Sequence, residues 1–447
     1  MTAEIINIFR KAIENNDKKQ LALLLEEIHP VDQSQLLLEL EPEERTKIYT
    51  FLETETLADI IQELDSDEQL ALLEELQPRQ IPKVLNEMSS DDATDLLGSL
   101  QDDHAQNLLN SMSIEDAAEV RKLLTFPEET AGGLMTTEFV AIKRNLTAAE
   151  TLAELRKIAP DAETIYYIYV ADDISRLVGV ISLRDLIVAP PEQMIEAIMS
   201  ENVVSVPVTM DQEEVAAVID KYDFLAVPVV DENNVLLGIV TVDDVLDVLK
   251  EEATEDIGHL SAIPHMDEIK VTALQSAKRR LPWLILLLFV DLMSGNIISR
   301  FETTLEQVVI LAAFIPLIAD MAGNTGTQSL AIVVRGLALG EFTKKDVMAI
   351  VRREFITGLI IGTTCGIIIA VAAYLWQGNP YLGLVIGFSL WATLVSATLA
   401  GAIVPIFINF LNLDPAVASG PFITTINDII GLTIFFTTAT AFMSYLL

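Results

Sequence analysis

Five long apolar runs toward the C-terminus constrain this chain more than any other feature: about 281–299, 307–334, 355–376, 382–411 and 420–446. Each is long enough to cross the ~30 Å hydrocarbon core of a bilayer as an α-helix. Backbone amides in lipid find no water, so such a segment must satisfy them internally, and a helix does so along its whole length. A five-helix α transmembrane domain is therefore predicted over 281–447. The bases set its orientation. Lys278, Arg279 and Arg280 precede the first run, and Arg335, Lys344, Lys345, Arg352 and Arg353 fill the connection between the second and third, whereas "QGNPY" between the third and fourth has none. The positive-inside tendency then places the N-terminal part in the cytoplasm and the C-terminus outside the plasma membrane. The opening "MTAEIINIFRKAIENN" is a charged amphipathic segment without the apolar centre of a signal peptide, which agrees.

The remainder is strongly acidic. Residues 281–447 hold nine Asp/Glu and six Lys/Arg, net −3, so the −38 of the whole chain leaves −35 on residues 1–280. Such a surface repels nucleic acid and attracts cations, which argues against DNA or RNA as a partner. Taken alone it also fits a merely solvated acidic surface. The single cysteine, Cys365, lies in an apolar run; an intrachain disulfide framework and a thiolate cluster are excluded, and a reducing compartment fits.

Within the acidic part, large apolar residues recur every twelve positions: Ile28, Leu40, Leu52, Leu64, Leu76, Met88, Leu100, Met112 and Leu124. "LDSDEQ", "MSSDDA", "LQDDHA" and "MSIEDA" each supply an Asp or Ser where a helix cap is needed. Two-turn helices joined by tight corners and stacked into a superhelix are predicted over 1–130; a coiled coil would need heptads. Past "ETAGGLMTTEF" the period changes. "TIYYIYVAD" with "LVGVISLRDLI", and about sixty residues later "FLAVPVVDENNVLLGIVTVDDVLDVL", read as strand pairs followed by a helix, with "TAAETLAELRKI" and "DQEEVAAVIDKY" as the helices before them. Two tandem α-β-β-α units are expected over 131–246, at about 135–195 and 198–246. An acidic amphipathic helix is expected over 247–263, within a linker reaching 280.

Charged groups inside lipid cost ~2.5–3.5 kcal/mol at a helix centre, so they face a wet path or one another. Asp291, Asp320 and Asp428 are such groups. Asp320 stands in "ADMAGNTGTQS", whose small residues permit close helix approach and whose amides and hydroxyls can line a cavity. Asp428 shares the last run with Thr424, Thr425 and Asn427, just after Gly420-Pro421. A buried Asp can also simply hydrogen-bond a neighbouring helix. For Asp428 no Lys or Arg occupies any span centre, which points to a mobile cation as countercharge. Oxygen-only surroundings suit Mg²⁺ or Ca²⁺ better than zinc or copper. His29, His104, His259 and His265 lack ligand spacing and read as surface groups. No Walker lysine loop, G-x-S-x-G or G-x-G-x-x-G occurs, which disfavours an ATP-driven pump.

These strings resemble the MgtE family of magnesium channels and transporters over nearly the whole chain. The resemblance rests on the twelve-residue repeats, the paired cystathionine-β-synthase-like (CBS) units, "EEATEDI" at 251–257, "GNTGTQS" at 323–329, "VRGLALG" at 334–340 and "TTINDIIGL" at 424–432. It implies a homodimer in which each chain has a superhelical N domain, tandem α/β CBS domains, a connecting plug helix and five transmembrane helices, with the pore between subunits. It further implies a non-enzymatic, Mg²⁺-selective uptake channel with Asp428 as pore carboxylate, the Thr424 carbonyl assisting. Co²⁺, Ni²⁺ and Mn²⁺ are further ions to consider. Closure by cytosolic Mg²⁺ is implied at Asp59, Asp91, Asp211, Glu213, Asp223, Asp244, Asp247, Glu252, Glu255 and Asp256. ATP, bound by some relatives, would meet Tyr167, Arg184, Asp185, Phe224 and Leu225. The chain departs from many relatives at Ala322, Thr327 and Gly420, and has Asp59 where a glutamate is common.

Two rival readings stand beside this one. Asp320 and Asp428 could form an intramembrane aspartyl protease dyad, although neither sits in a Gly-x-Gly-Asp string. A membrane-anchored Mg²⁺ sensor that transports nothing is the other, although an anchor needs one span rather than five.

Overall fold

The computed structural model describes residues 3–15, 17–26, 28–263, 272–338, 342, 346–411, 413–415 and 418–447. His265, Lys344, Lys345, linker residues 264–271 and the end of "VRGLALG" lie outside the described residues. The chain divides into two compact units, Met1–Lys250 and Glu251–Leu447.

The first unit begins with ten short helices: α1 (Ala3–Glu14), α2 (Lys18–Glu26), α3 (Pro30–Glu39), α4 (Pro42–Tyr49), α5 (Thr54–Gln62), α6 (Ser66–Glu75), α7 (Ile81–Glu87), α8 (Ser90–Gly98), α9 (Asp102–Leu109) and α10 (Ile114–Leu123). The twelve-residue period is one such helix plus its corner. Leu40, Leu76 and Met88 are the residues that end α3, α6 and α7, and all three are buried, so each repeat returns an apolar side chain to one continuous core. Ser113 caps α10 by accepting from Asp116 N at 3.1 Å. The other expected caps differ: Asp65 and Ser89 take the cap positions of α6 and α8 without a side-chain cap hydrogen bond, and in "LQDDHA" the cap position is Gln101, with Asp102 and Asp103 in the first turn of α9. There they face the positive end of the helix dipole.

After α11 (Ala131–Leu134) come two sheets of three strands. The first contains β1 (Phe139–Lys143), β2 (Thr164–Ala171) and β3 (Leu177–Ser182), with α12 (Ala148–Ile158) between β1 and β2 and α13 (Leu183–Val188) after β3. The second contains β4 (Val206–Pro207), β5 (Ala226–Val230) and β6 (Leu236–Thr241), with α14 (Gln212–Tyr222) between β4 and β5 and α15 (Val242–Leu260) after β6. Each sheet pairs its first two strands in parallel and its last two antiparallel. The repeating unit is thus β-α-β-β-α, with one more strand than expected. The sheets are joined by backbone bonds from Leu177 N to Asn234 O (2.9 Å) and from Leu236 N to Ser175 O (3.1 Å), beside a shared core of Tyr169, Ala226, Val230 and Ile239.

In the second unit α16 (Ala273–Arg300), α17 (Glu302–Gln307), a 3₁₀ segment (Val309–Phe314), α18 (Ile315–Ala338), α19 (Val347–Gln377), α20 (Pro380–Phe410), α21 (Gly420–Ala441) and α22 (Met443–Leu446) follow in order. Five segments are long and apolar enough to cross a membrane. The linker helix differs from its expected range, because α15 starts at Val242, directly after β6, and ends at Leu260. α18, α19, α20 and α21 pack together, whereas α16 packs on α21 and has no buried residue.

Candidate functional site

The opening of α21 and its neighbours form a cavity of about 460 Å³ lined by Leu287, Asp291, Thr327, Gly420, Pro421, Thr424, Thr425 and Asp428. A Pro in the first turn lets α21 start here, since an N–H there has no partner inside the helix. Thr424 Oγ1 donates back to Gly420 O at 3.0 Å, and Thr425 Oγ1 lies 3.1 Å from both Pro421 O and Asp291 Oδ1. Both hydroxyls are therefore turned toward the protein. Asp428 Oδ1 is buried from solvent and has no hydrogen-bond partner. A carboxylate oxygen left bare in an apolar setting is costly unless something cationic meets it.

On the neighbouring face Asn427 is 1% exposed and its Nδ2 donates to Ala322 O on α18 at 3.4 Å. Gly326 makes that approach possible: a Cβ there would lie 3.0 Å from Ile423 Cγ2 and would collide with the Asn427 amide. Asp320 is exposed and does not line the cavity. Asp291 and Thr327 do line it; the sequence marks Asp291 as an intramembrane carboxylate without placing it at the ion site.

The soluble carboxylates fall into separate groups. Asp91 at the start of α8 has one buried oxygen without a partner, and burial raises its pKa. Around it, burial and then like-charged neighbours push Asp92 up to about 6, Glu163 up to about 7 and Glu138 up to about 7. Burial also raises Asp244, to about 8, with Asp91 and Asp243 adding repulsion while Thr241 donates to its Oδ2 at 2.5 Å. Asp92, Glu138 and Glu163 do not stand out in the sequence; Glu138 accepts from Ser90 N at 3.1 Å, a pairing 48 residues apart that no local pattern reveals. Asp59 on α5 is raised by burial and by Glu55. Asp211 instead caps α14, accepting from Glu213 N at 2.9 Å, and Asp223 ends the same helix in a left-handed turn (φ 53°). Asp247 lies 4.0 Å from Lys250 Nζ. In the second unit, Glu252, Glu255 and Asp256 are on the last turns of α15, where burial and Asp414 raise Asp256. His259 is more than a surface group: its Nδ1 lies 2.7 Å from Asp414 Oδ2 and its Nε2 3.6 Å from Glu255 Oε1. Among the described residues no three or more Asp, Glu, His or Cys gather as a metal-holding group.

Of the positions considered for a nucleotide, Tyr167 and Phe224 come together, whereas Arg184 and Asp185 open α13. Tyr167 meets Phe224 edge to face at 6.3 Å, and Phe224 stacks on Tyr222 at 5.3 Å, adding an aromatic that the sequence alone does not single out. Leu225 is 45% exposed beside them. Ser182 caps α13 through Asp185 N at 3.1 Å and donates to Asp185 Oδ2 at 2.6 Å; the neighbouring Arg184 side chain is exposed.

Comparison with known proteins agrees with this layout. Residues 315–438 match the sequence profile described as MgtE, divalent cation transporter. Residues 28–129 match the MgtE intracellular N domain, and 131–192 and 195–251 match CBS domains. The magnesium transporter MgtE of Bacillus subtilis (strain 168) is 49% identical over 324 residues, 72% of each chain. That of Thermus thermophilus is 44% identical over 326 residues, again 72% of each chain. A crystal structure of the soluble part of a magnesium transporter has a TM-score of 0.55 at 41% identity, covering 56% of this chain and 98% of that one. The cytosolic domain of the Mg²⁺ channel MgtE in complex with ATP has a TM-score of 0.52 at 45% identity, covering 54% and 99%.

Proposed function

Since the chain belongs to the MgtE family of divalent cation transporters, we propose that it carries Mg²⁺ inward across the plasma membrane and that Mg²⁺ on the cytoplasmic side closes it. A protease or a silent sensor has no support from a family of transporters. The Asp428 carboxylate in the cavity wall, beside Asp291 and three threonines and with one oxygen buried without a partner, is the observation that supports the transport path best. Mg²⁺ dehydrates reluctantly and keeps several waters. Six waters at ~30 Å³ each occupy about 180 Å³, so the cavity of about 460 Å³ has room for the hydrated ion beside one carboxylate. Asp428 supplies the charge, Asp291 a second carboxylate on the same wall, and the Thr424 carbonyl is a proposed further oxygen.

The α16 surface favours a homodimer. Leu284, Leu288, Phe289 and Leu292 are each more than half exposed on a helix that packs chiefly on α21, and a two-fold copy would bring two such cavities to one axis. Basic flanks favour the N-terminal unit in the cytoplasm and the C-terminus outside. There the raised carboxylates around Asp91 and Asp244 would be bridged by divalent ions, together with Asp59, Asp211, Glu213, Asp223, Asp247, Glu252, Glu255 and Asp256. Bound ions favour whichever arrangement holds them more tightly, so closing by Mg²⁺ requires a closed form with the greater affinity. Mn²⁺ shares the charge and the preference for carboxylate and water ligands, and Co²⁺ and Ni²⁺ share the charge. ATP would sit against Tyr167, Phe224 and Leu225 with Arg184 and Asp185 toward its polar end.

Flux into vesicles carrying the purified protein tests this. The parent admits Mg²⁺ and slows as Mg²⁺ rises on the face of the soluble unit; Asp428→Ala abolishes flux, and Asp91→Asn with Asp244→Asn weakens the slowing. Undiminished flux in Asp428→Ala would overturn the path, and unchanged slowing in the double variant would overturn the closing role.

A further inference from the structure

We propose that Glu354 is a positioning residue for the cation cavity, holding the α18 wall in place from behind through Ser329. The inference rests on the reading of that cavity as the route of a divalent cation. Among the described residues Glu354 is the one charged residue counted as fully buried, at 3% exposure. In sequence it closes the flank Arg352-Arg353-Glu354, where nothing singles it out. The structure turns it inward while Arg352 and Arg353 stay exposed.

Three helices meet at this carboxylate. Its Oε2 accepts from Ser329 Oγ of α18 at 2.8 Å, and the same hydroxyl lies 2.9 Å from Thr398 O of α20. Arg353 Nε stands 3.4 Å from Oε1 with half of its side chain exposed. A hydroxyl has a single proton to give, so Ser329 donates to one of these two oxygens at a time. The Thr398 carbonyl sits within a helix and has its own ladder to fall back on. Close approach is built in: a Cβ on Gly401 would stand 3.0 Å from Ser329 Cβ and would collide with Gly326 O.

The link to the cavity is geometric. Thr327 lines the cavity and Ser329 follows two residues later. At 3.6 residues per turn, two positions are about 200° apart, so the two side chains leave opposite sides of α18. One side meets the ion path and the other is tied to α19 and α20. Moving the tie would move Thr327 and with it the width that a hydrated ion encounters.

The test is the Mg²⁺:Ca²⁺ flux ratio of the full-length protein in vesicles, with the melting temperature recorded alongside. Glu354→Ala and Ser329→Ala each lower the ratio severalfold. Glu354→Gln, which keeps an oxygen for Ser329, restores it toward the parent, and the Ala/Ala double variant is no worse than either single change. Should Glu354→Ala fail to assemble, Ser329→Ala carries the test. Unchanged ratios in assembled alanine variants, with only the melting temperature lowered, would reduce Glu354 to a packing role and overturn the proposal. A Gln variant as impaired as the Ala variant would also overturn it, because the charge rather than the hydrogen bond would then matter. Asp428→Asn separates the two layers: a parent without flux, or full flux in Asp428→Asn, removes the underlying reading, whereas normal ratios in the Glu354 variants remove only this inference.

Discussion

Asn427 and Asp428 are adjacent in α21, yet one is pinned to α18 and the other lines the cavity. The pinning depends on Gly326. Gly326→Ala would press a methyl into the Asn427 amide and Ile423, and overpacking of this kind costs about 1–3 kcal/mol. The expected result is a lower melting temperature of the solubilised protein, partly recovered by adding Asn427→Ala; an unaltered melting temperature would contradict the packing described. Asp428 was legible in the sequence because a carboxylate in an apolar run needs a partner. By that criterion Asp320 looked the same. Asp320 precedes Thr327 by seven residues, nearly two turns, so it shares its stripe of α18 but lies about 10 Å farther along the helix. Depth, which residue types do not encode, separates the two. Nothing in the sequence singles out Glu354, and only the packing of α18 and α20 around it shows where it points.

At the scale of elements, strong periodicity was readable and short pairings were not. The twelve-residue repeat announced α3 to α10 because every corner needs a large apolar side chain inward. The five spanning segments were readable because length and hydropathy alone decide them. β1 and β4 were missed. β4 has two residues, Val206 and Pro207, and β1 is a five-residue "FVAIK" whose partner β2 begins more than twenty residues later. A parallel partner contributed through a crossover leaves no turn signal beside it. The helix after the second strand pair was read apart from the one expected over 247–263, whereas α15 is a single helix from Val242 to Leu260. "VTVDDVL" passes from strand to helix without Gly or Pro, so no breaker fixes the exact start at Val242.

For the molecule as a whole, the decisive quantity is the −35 carried by residues 1–280. Asp92, Glu138, Glu163 and Asp244 stand at about 6, 7, 7 and 8, all above the ~4 of an unfolded carboxylate. The folded form therefore binds more protons than the unfolded form through this range. The contribution is fully present below about pH 4 and is lost as pH rises through about 6 to 8. Without divalent ions, the melting temperature of the soluble unit in the intact protein should rise as pH falls from 8 to 6, and millimolar Mg²⁺ should flatten the slope by replacing protons. A melting temperature that falls over the same interval would contradict this assignment of burial and repulsion. The most direct measurement concerns the ion itself: anomalous scattering from Mn²⁺, an oxygen-seeking stand-in for Mg²⁺, in crystals of the full-length protein. The predicted result is a Mn²⁺ peak in the cavity beside Asp428 that disappears in Asp428→Asn; a cavity without the ion, or a peak indifferent to the substitution, would contradict the account.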